Sequence, residues 1–190
     1  MTVMLLKHTL ELVHAGQICD FDMSQTTVGG KRLFNMGIVP RADMPQLKGF
    51  PRPASVAELL RQDDVGKVNV MDQFLSYVTT EIGVKPKALE MNASELRGSQ
   101  RELVASKVAK HALKMLDRRD HKKLHATYVV SDENVLIDGH HGWAAVRCYE
   151  TMIGQKIKLD VLRLNCDIDG LLKLARQFVN IVGIENKEGV

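Results

Sequence analysis

Cysteine and tryptophan are scarce in this chain, with three and one among 190 residues. Cys19, Cys148 and Cys166 are odd in number and far apart, forming neither a CxxC pair nor a zinc-finger spacing with histidine. They read as free structural thiols in a reducing compartment. A strong charge of either sign is also missing, and a net +3 is too small by itself to mark a nucleic-acid binder. No apolar run approaches the roughly 18–20 residues that a membrane span needs, so no membrane partner is expected. The N-terminal apolar stretch is broken by Lys7, His8, Glu11 and His14 at helical spacing. Without a basic start and a small-residue cleavage site it reads as a helix of the mature chain, which places the protein in the cytoplasm. Repeats and low-complexity segments are absent as well.

What is present has the composition of a globular domain, with 45% hydrophobic and 26% charged residues. Apolar spacing predicts a helix over 2–15. From about 16 to 55, Gly16, Gly29, Gly30, Gly37 and Gly49 alternate with Pro40, Pro45, Pro51 and Pro53. Such a long loop is either functional or mobile, covering a site or meeting a partner. Helices are expected over 55–63 and 70–82, and a strand over 85–93. Ser99-Gln-Arg-Glu102 has the form of a capping box opening a helix that runs to about 117. Strands follow at 126–130 and 135–138, joined by a Ser131–Asn134 hairpin turn. A helix is expected from His140 to Ile153 with Gly154 just past its end, then a strand over 156–164 and a helix over 168–182. The expected class is α+β, with helices dominating the first half and a small mixed sheet in the second.

The stretch NVLIDGHHGWAAV, residues 134–146, concentrates the chemistry. The pattern predicts a strand passing through Gly139 into a helix, and a helix N-terminus offers unpaired N–H groups and partial positive charge to a phosphate. His140 and His141 add groups that donate to phosphate oxygens, move protons or bind metal. Asp138 suits a general base or the ligand of a divalent ion. The plainer alternative is a polar turn, since Asp-Gly is a common turn pair and Asp a standard N-cap. Trp143, Ala144, Ala145 and Val146 read as a packing face.

DGHHGWAA, residues 138–145, resembles the box of the ParB/sulfiredoxin superfamily. Its free serine kinase branch and the phage or plasmid ParB-like nucleases are the nearest in pattern. The similarity covers about residues 86–182, from KALEMNASELRGSQREL through the box to KIKLDVLRL and the final helix. VPRADMPQLKG, residues 39–49, further resembles N-terminal segments of phage-encoded members. The resemblance implies a helical and loop-rich segment, 1–84, before a ParB/sulfiredoxin-like domain, 85–190, located in the host cytoplasm if phage-encoded.

It also implies a nucleotide partner, ATP or another nucleoside triphosphate, with Mg2+ as a companion at Asp138. Asp138, His140, His141 and Glu102 would then be catalytic. Ser99, Gln100, Arg101, Gly139, His140, His141 and Gly142 would surround the nucleotide. The expected activity is an NTPase or nuclease acting on nucleic acid. A kinase of a small hydroxyl acceptor and a non-catalytic DNA- or protein-binding member are the alternatives, and a homo-oligomer is allowed. Two departures shape these expectations. Gly142 stands where the family box has a phosphate-binding arginine, for which Arg97 or Arg101 could substitute. His140 stands where sulfiredoxin chemistry needs a cysteine, and Cys148 lies too deep in the helix to replace it.

Outside the box, Lys107, Lys110, Lys114 and Arg118 recur at helical spacing, extended by Arg119, Lys122 and Lys123. They read either as a solvated face or as a track for DNA phosphates. No aromatic residues interleave with them, which excludes a stacking platform for single strands. Glu102 reads first as half of its capping box, and as a catalytic acid too if that helix end faces the site. His121 and His125 read as surface residues.

Overall fold

A computed structural model of the chain describes residues 1–45, 47, 70–119 and 127–184. The helix expected over 55–63, and Lys122, Lys123, His121 and His125, lie outside the described residues. The described chain is a mixed α+β fold with five α-helices, a five-stranded mixed sheet and a separate two-stranded ribbon.

Helix α1, Val3–His14, starts where Thr2 accepts the Leu5 N–H at 3.2 Å, and it buries Leu6, Leu10 and Val13. The ribbon follows as β1, Thr27–Val28, and β2, Lys31–Arg32, antiparallel about Gly29 and Gly30. Helix α2, Val70–Thr80, buries Val70, Phe74 and Val78 at four-residue spacing. The main sheet holds β3 (Lys87–Asn92), β4 (Arg97–Gly98), β5 (Tyr128–Val130), β6 (Val135–Leu136) and β7 (Lys158–Arg163). Its spatial order is β3-β7-β5-β6-β4. Strand β7 runs antiparallel to β3 and parallel to β5, the β5–β6 hairpin is antiparallel, and β6 runs parallel to β4. The remaining helices are α3 (Ala105–Arg118), α4 (His140–Ile153) and α5 (Ile168–Val182).

Side-chain alternation along the central strands feeds two cores. Tyr128, Val130, Leu136, Leu159 and Val161 meet α1, α3 and α4 on one face. Val129, Ile137 and Leu164 meet α2 and α5 on the other. Trp143 anchors the first core from α4, donating its indole N–H to the Ala93 carbonyl at 2.8 Å and meeting Phe34 edge-on at 5.9 Å. Trp143, Ala144, Ala145 and Val146 are all buried, as their reading as a packing face requires. Helix α5 has the expected bounds, its start capped by Asp167 accepting the Gly170 N–H at 2.7 Å. Helix α4 also ends where expected, at Gly154 in the left-handed region.

One expected helix start is wrong. Ser99 to Glu102 is no capping box: α3 begins at Ala105, with Val104 as its N-cap and no side-chain cap. Ser99 Oγ is instead spent on the Leu136 carbonyl at 2.6 Å, and the Glu102 carboxylate accepts the Arg41 N–H at 2.9 Å. Tertiary partners outcompete the local cap, and burial of Leu103 carries the chain inward before it can coil. The box chemistry appears elsewhere, at Asn92 and Glu95 around a short 3-10 turn, Ala93–Glu95.

Part of the glycine- and proline-rich segment has a definite structural role. Residues 35–39 run along the outer edge of β4: Asn35 O accepts from Gly98 N at 2.9 Å, and Ser99 O accepts from Val39 N at 3.1 Å. A parallel bridge joins Val39 to Gln100, and Arg101 N donates to Val39 O at 2.8 Å. The edge of the sheet is thereby covered. Gly37 makes this possible, because a Cβ there would overlap the Ser99 carbonyl group. Gly37→Ala is therefore expected to cost about 1–3 kcal/mol by forcing two backbones apart. Urea unfolding checks this, and an unchanged midpoint would refute the close approach.

Candidate functional site

The box has the expected strand–glycine–helix form, with a shorter strand. Strand β6 ends at Leu136, although Ile137 N still donates to Val129 O at 3.1 Å. Gly139, at φ 81°, and not Asp138, is the N-cap of α4, and it has no side-chain capping bond. The left-handed turn there suits glycine. Asp138 instead folds back, accepting the Gly139 N–H at 2.6 Å.

The two histidines have different tasks, both as acceptors. His140 is 3% exposed, and its Nε2 faces Ser99 N at 3.2 Å, Ser99 Oγ at 3.1 Å and Gln100 N at 3.4 Å. Backbone N–H groups can only donate, so Nε2 is unprotonated and the neutral ring carries its hydrogen on Nδ1. His140 thus ties the start of α4 to the end of β4 and is too deep to touch a phosphate in this conformation. His141 Nε2 accepts the Val104 N–H at 3.0 Å, joining the starts of α4 and α3. Burial first, then the Arg41 guanidinium, the adjoining His140 ring and the Lys107 ammonium, lower its pKa to about 4 against the opposing effect of Asp138.

Arg41 follows Pro40 at the head of a short 3-10 turn, and its backbone N–H is held by Glu102, two residues before the Val104 that His141 holds. Lys107 lies in the first turn of α3, three residues after Val104. The backbone of Arg41 and the first turn of α3 are thereby tied to the start of α4. Of the arginines considered for the missing box charge, Arg97 donates to the Glu133 carbonyl at 3.0 Å and Arg101 pairs with Glu102 at 2.6 Å. Of the three arginines, Arg41 is the one whose charge acts on His141. It lies within the VPRADMPQLKG stretch already singled out, which was the one available signal for it.

Gly142 has a local reason. The Tyr128 ring, buried on β5, lies across the first turn of α4, its hydroxyl 3.1 Å from where a Gly142 Cβ would stand. The same ring edge comes within 3.0 Å of a Cβ built on Gly139. Burial, and secondarily the Asp138 charge, push the Tyr128 phenol well above its ordinary range, so it stays a neutral donor. An arginine at 142 would have to displace it.

The other expected site residues are engaged by the fold. Ser99 and Gln100 are buried, and Gln100 Nε2 donates to the Glu102 carbonyl. For Glu102, burial works upward, but the Arg101 guanidinium and the Arg41 N–H outweigh it and hold the carboxyl below its usual range. A carboxylate held in this way is poorly suited to act as a general acid. Cys148 is fully buried, and burial pushes its thiol up to about 12, so it supplies no thiolate near neutral pH. Among the described residues no group of three or more His, Cys, Asp or Glu side chains is placed to hold a metal. No helix among them is long and apolar enough to cross a membrane.

No protein-family model, curated protein or solved structure matches this chain.

Two outcomes are expected. His141 favours its neutral form in the folded state, so the unfolded chain binds more protons between its ordinary 6.5 and about 4. Stability from this group is complete above pH 6.5 and lost as pH falls through that window. His141→Gln, which keeps an acceptor for Val104 but does not titrate there, should flatten the acid limb of the stability–pH curve; an identical limb would refute the assignment. Gly142→Ala sets a helix-propensity gain of up to about 1 kcal/mol against crowding by Tyr128. The substitution should be more favourable in a Tyr128→Phe background, and additivity in a double-mutant cycle would show that the hydroxyl does not crowd residue 142.

Proposed function

We propose that the start of α4 is a phosphate site for a nucleoside triphosphate, and that the chain cleaves or transfers a phosphate bond there. The observation that carries this reading is the joining of two helix starts, with the His141 ring on the Val104 N–H, Arg41 held by Glu102 two residues earlier and Lys107 in the first turn of α3. Cations paired with helix N-termini are a general means of holding phosphate. The likeness of Asp-Gly-His-His to the ParB/sulfiredoxin box points the same way and favours an NTPase or nuclease acting on nucleic acid. In this reading Arg41 takes the role of the absent box arginine. Asp138 acts as the base on water or an acceptor hydroxyl. His140 and His141 are positioning residues, because their Nε2 atoms are engaged by backbone N–H groups. Alternatively Asp138 would hold Mg2+ together with phosphate oxygens, a donor set that suits the ion, which would neutralise charge on the transferred group.

A second reading has specific support. Both histidines serve the fold and Tyr128 occupies the arginine's place, which fits a non-catalytic member that binds DNA or protein. A kinase of a small hydroxyl acceptor is the third reading, and it rests on the box alone.

Binding and turnover of ATP, ADP and CTP separate the three. Arg41→Ala should weaken nucleotide binding about tenfold, as expected for loss of a charge-assisted contact. Asp138→Asn keeps the oxygen that accepts the Gly139 N–H, so binding should persist while turnover falls about 10²–10⁴-fold. Turnover that requires a small hydroxyl acceptor and ignores DNA would favour the kinase. Binding without turnover would favour the non-catalytic member. If none of the three nucleotides binds at about millimolar concentration, the phosphate site is refuted.

A further inference from the structure

We propose that the exposed face of α3 is a track for the phosphate backbone of a nucleic acid, leading into the site at Arg41 and Lys107. The inference rests on the phosphate reading of that site and names its substrate class. Helix α3 turns Val108, Ala109, Ala112 and Met115 into the core. Lys107, Lys110, Lys114 and Arg118 are all exposed and fall within an arc of about 80° on a different face. Steps of three and four residues set successive charges on the order of 5–6 Å apart along a row of about 16 Å. That is the scale on which phosphates follow one another in a strand. Asp117 is the one acidic residue on α3.

The row begins at the end of α3 that adjoins the site. Its first member, Lys107, stands three residues after Val104, whose N–H is accepted by His141 Nε2 at 3.0 Å. A backbone lying along α3 is thereby led toward Asp138, which turns a basic surface into an approach to a reacting phosphodiester. At the same end the Glu102 carboxylate, which would repel a strand, is offset by Arg101. Other polyanions fit less well. The exposed face offers only Ser106, lysines, Asp117 and arginine, with no large apolar side chain to enter a lipid surface. The regular spacing along one straight row matches a repeating phosphate better than an irregular acidic protein. With no aromatic residue on the face, recognition falls to the backbone, independent of base sequence.

The test uses the full chain and a labelled mixed-sequence DNA, single-stranded and as its duplex, followed by fluorescence anisotropy. Four phosphate contacts predict a slope of log K against log salt of about −3 on a single strand, slightly steeper on a duplex. Lys110→Glu combined with Lys114→Glu should weaken DNA binding by about tenfold or more and flatten the slope, leaving ATP binding unchanged. Both side chains are exposed, and an unchanged thermal melt verifies that the variant folds. Inorganic triphosphate should compete with the strand, because both use Arg41 and Lys107.

Failure of DNA to bind while ATP binds overturns the track and spares the nucleotide reading. DNA binding that the double substitution leaves intact also overturns it, as does equal or tighter binding to polyglutamate or anionic vesicles. If DNA binds through α3 but neither ATP nor triphosphate competes, the continuity with the site is overturned and α3 stands as a separate surface.

Discussion

The buried imidazole of His140 is the joint on which the start of α4 depends. Its Nε2 accepts from the backbone of Ser99 and Gln100, at 3.2 and 3.4 Å, while its own backbone opens the helix. The end of β4 and the first turn of α4 are thereby held together across a dry interior. An unmade bond to a buried N–H costs more than a made one contributes, so the junction tolerates little movement. His141 repeats the device one residue later with Val104, bringing α3 to the same point. The adjacent histidines are therefore first a way of bringing two helix starts together.

From that joint the charge distribution follows. With α3 and α4 beginning side by side, Lys107 reaches the space beside Asp138 and His141. The strap of residues 35–39, paired along β4, delivers Arg41 to it as well. Gly37 keeps the strap close and Glu102 anchors its end by the Arg41 N–H. Tyr128 lies against Gly139 and Gly142 with a phenol that burial keeps neutral. The paired helix starts thus draw their surroundings from four separated parts of the chain.

Much of the architecture was legible because local signals and burial agree. Apolar residues at three- and four-residue spacing marked α5 from Ile168 to Val182, and Asp167 caps it as its residue type suggests. Gly154 marked the end of α4, and the Ser131–Asn134 turn formed, with Asn134 at φ 65°. The capping box at Ser99–Glu102 misled because its groups found better partners far away in sequence: Leu136, His140 and Arg41. Spacing along the chain carries no information about such competition.

The sequence by itself determined the α+β class, most element positions, and the glycine-linked passage into α4 with Asp138 and two histidines beside it. These are local matters, set by periodicity, caps and the conformational freedom of glycine. Only the tertiary structure decided what the box residues do. It assigned His140 and His141 to backbone N–H groups, placed Tyr128 against Gly142, and fixed Arg41 by its backbone N–H to Glu102, close in the chain to the Val104 that His141 holds. Each of those outcomes depends on which groups meet after strands pair and helices pack, and that is a property of the assembled sheet and its two cores.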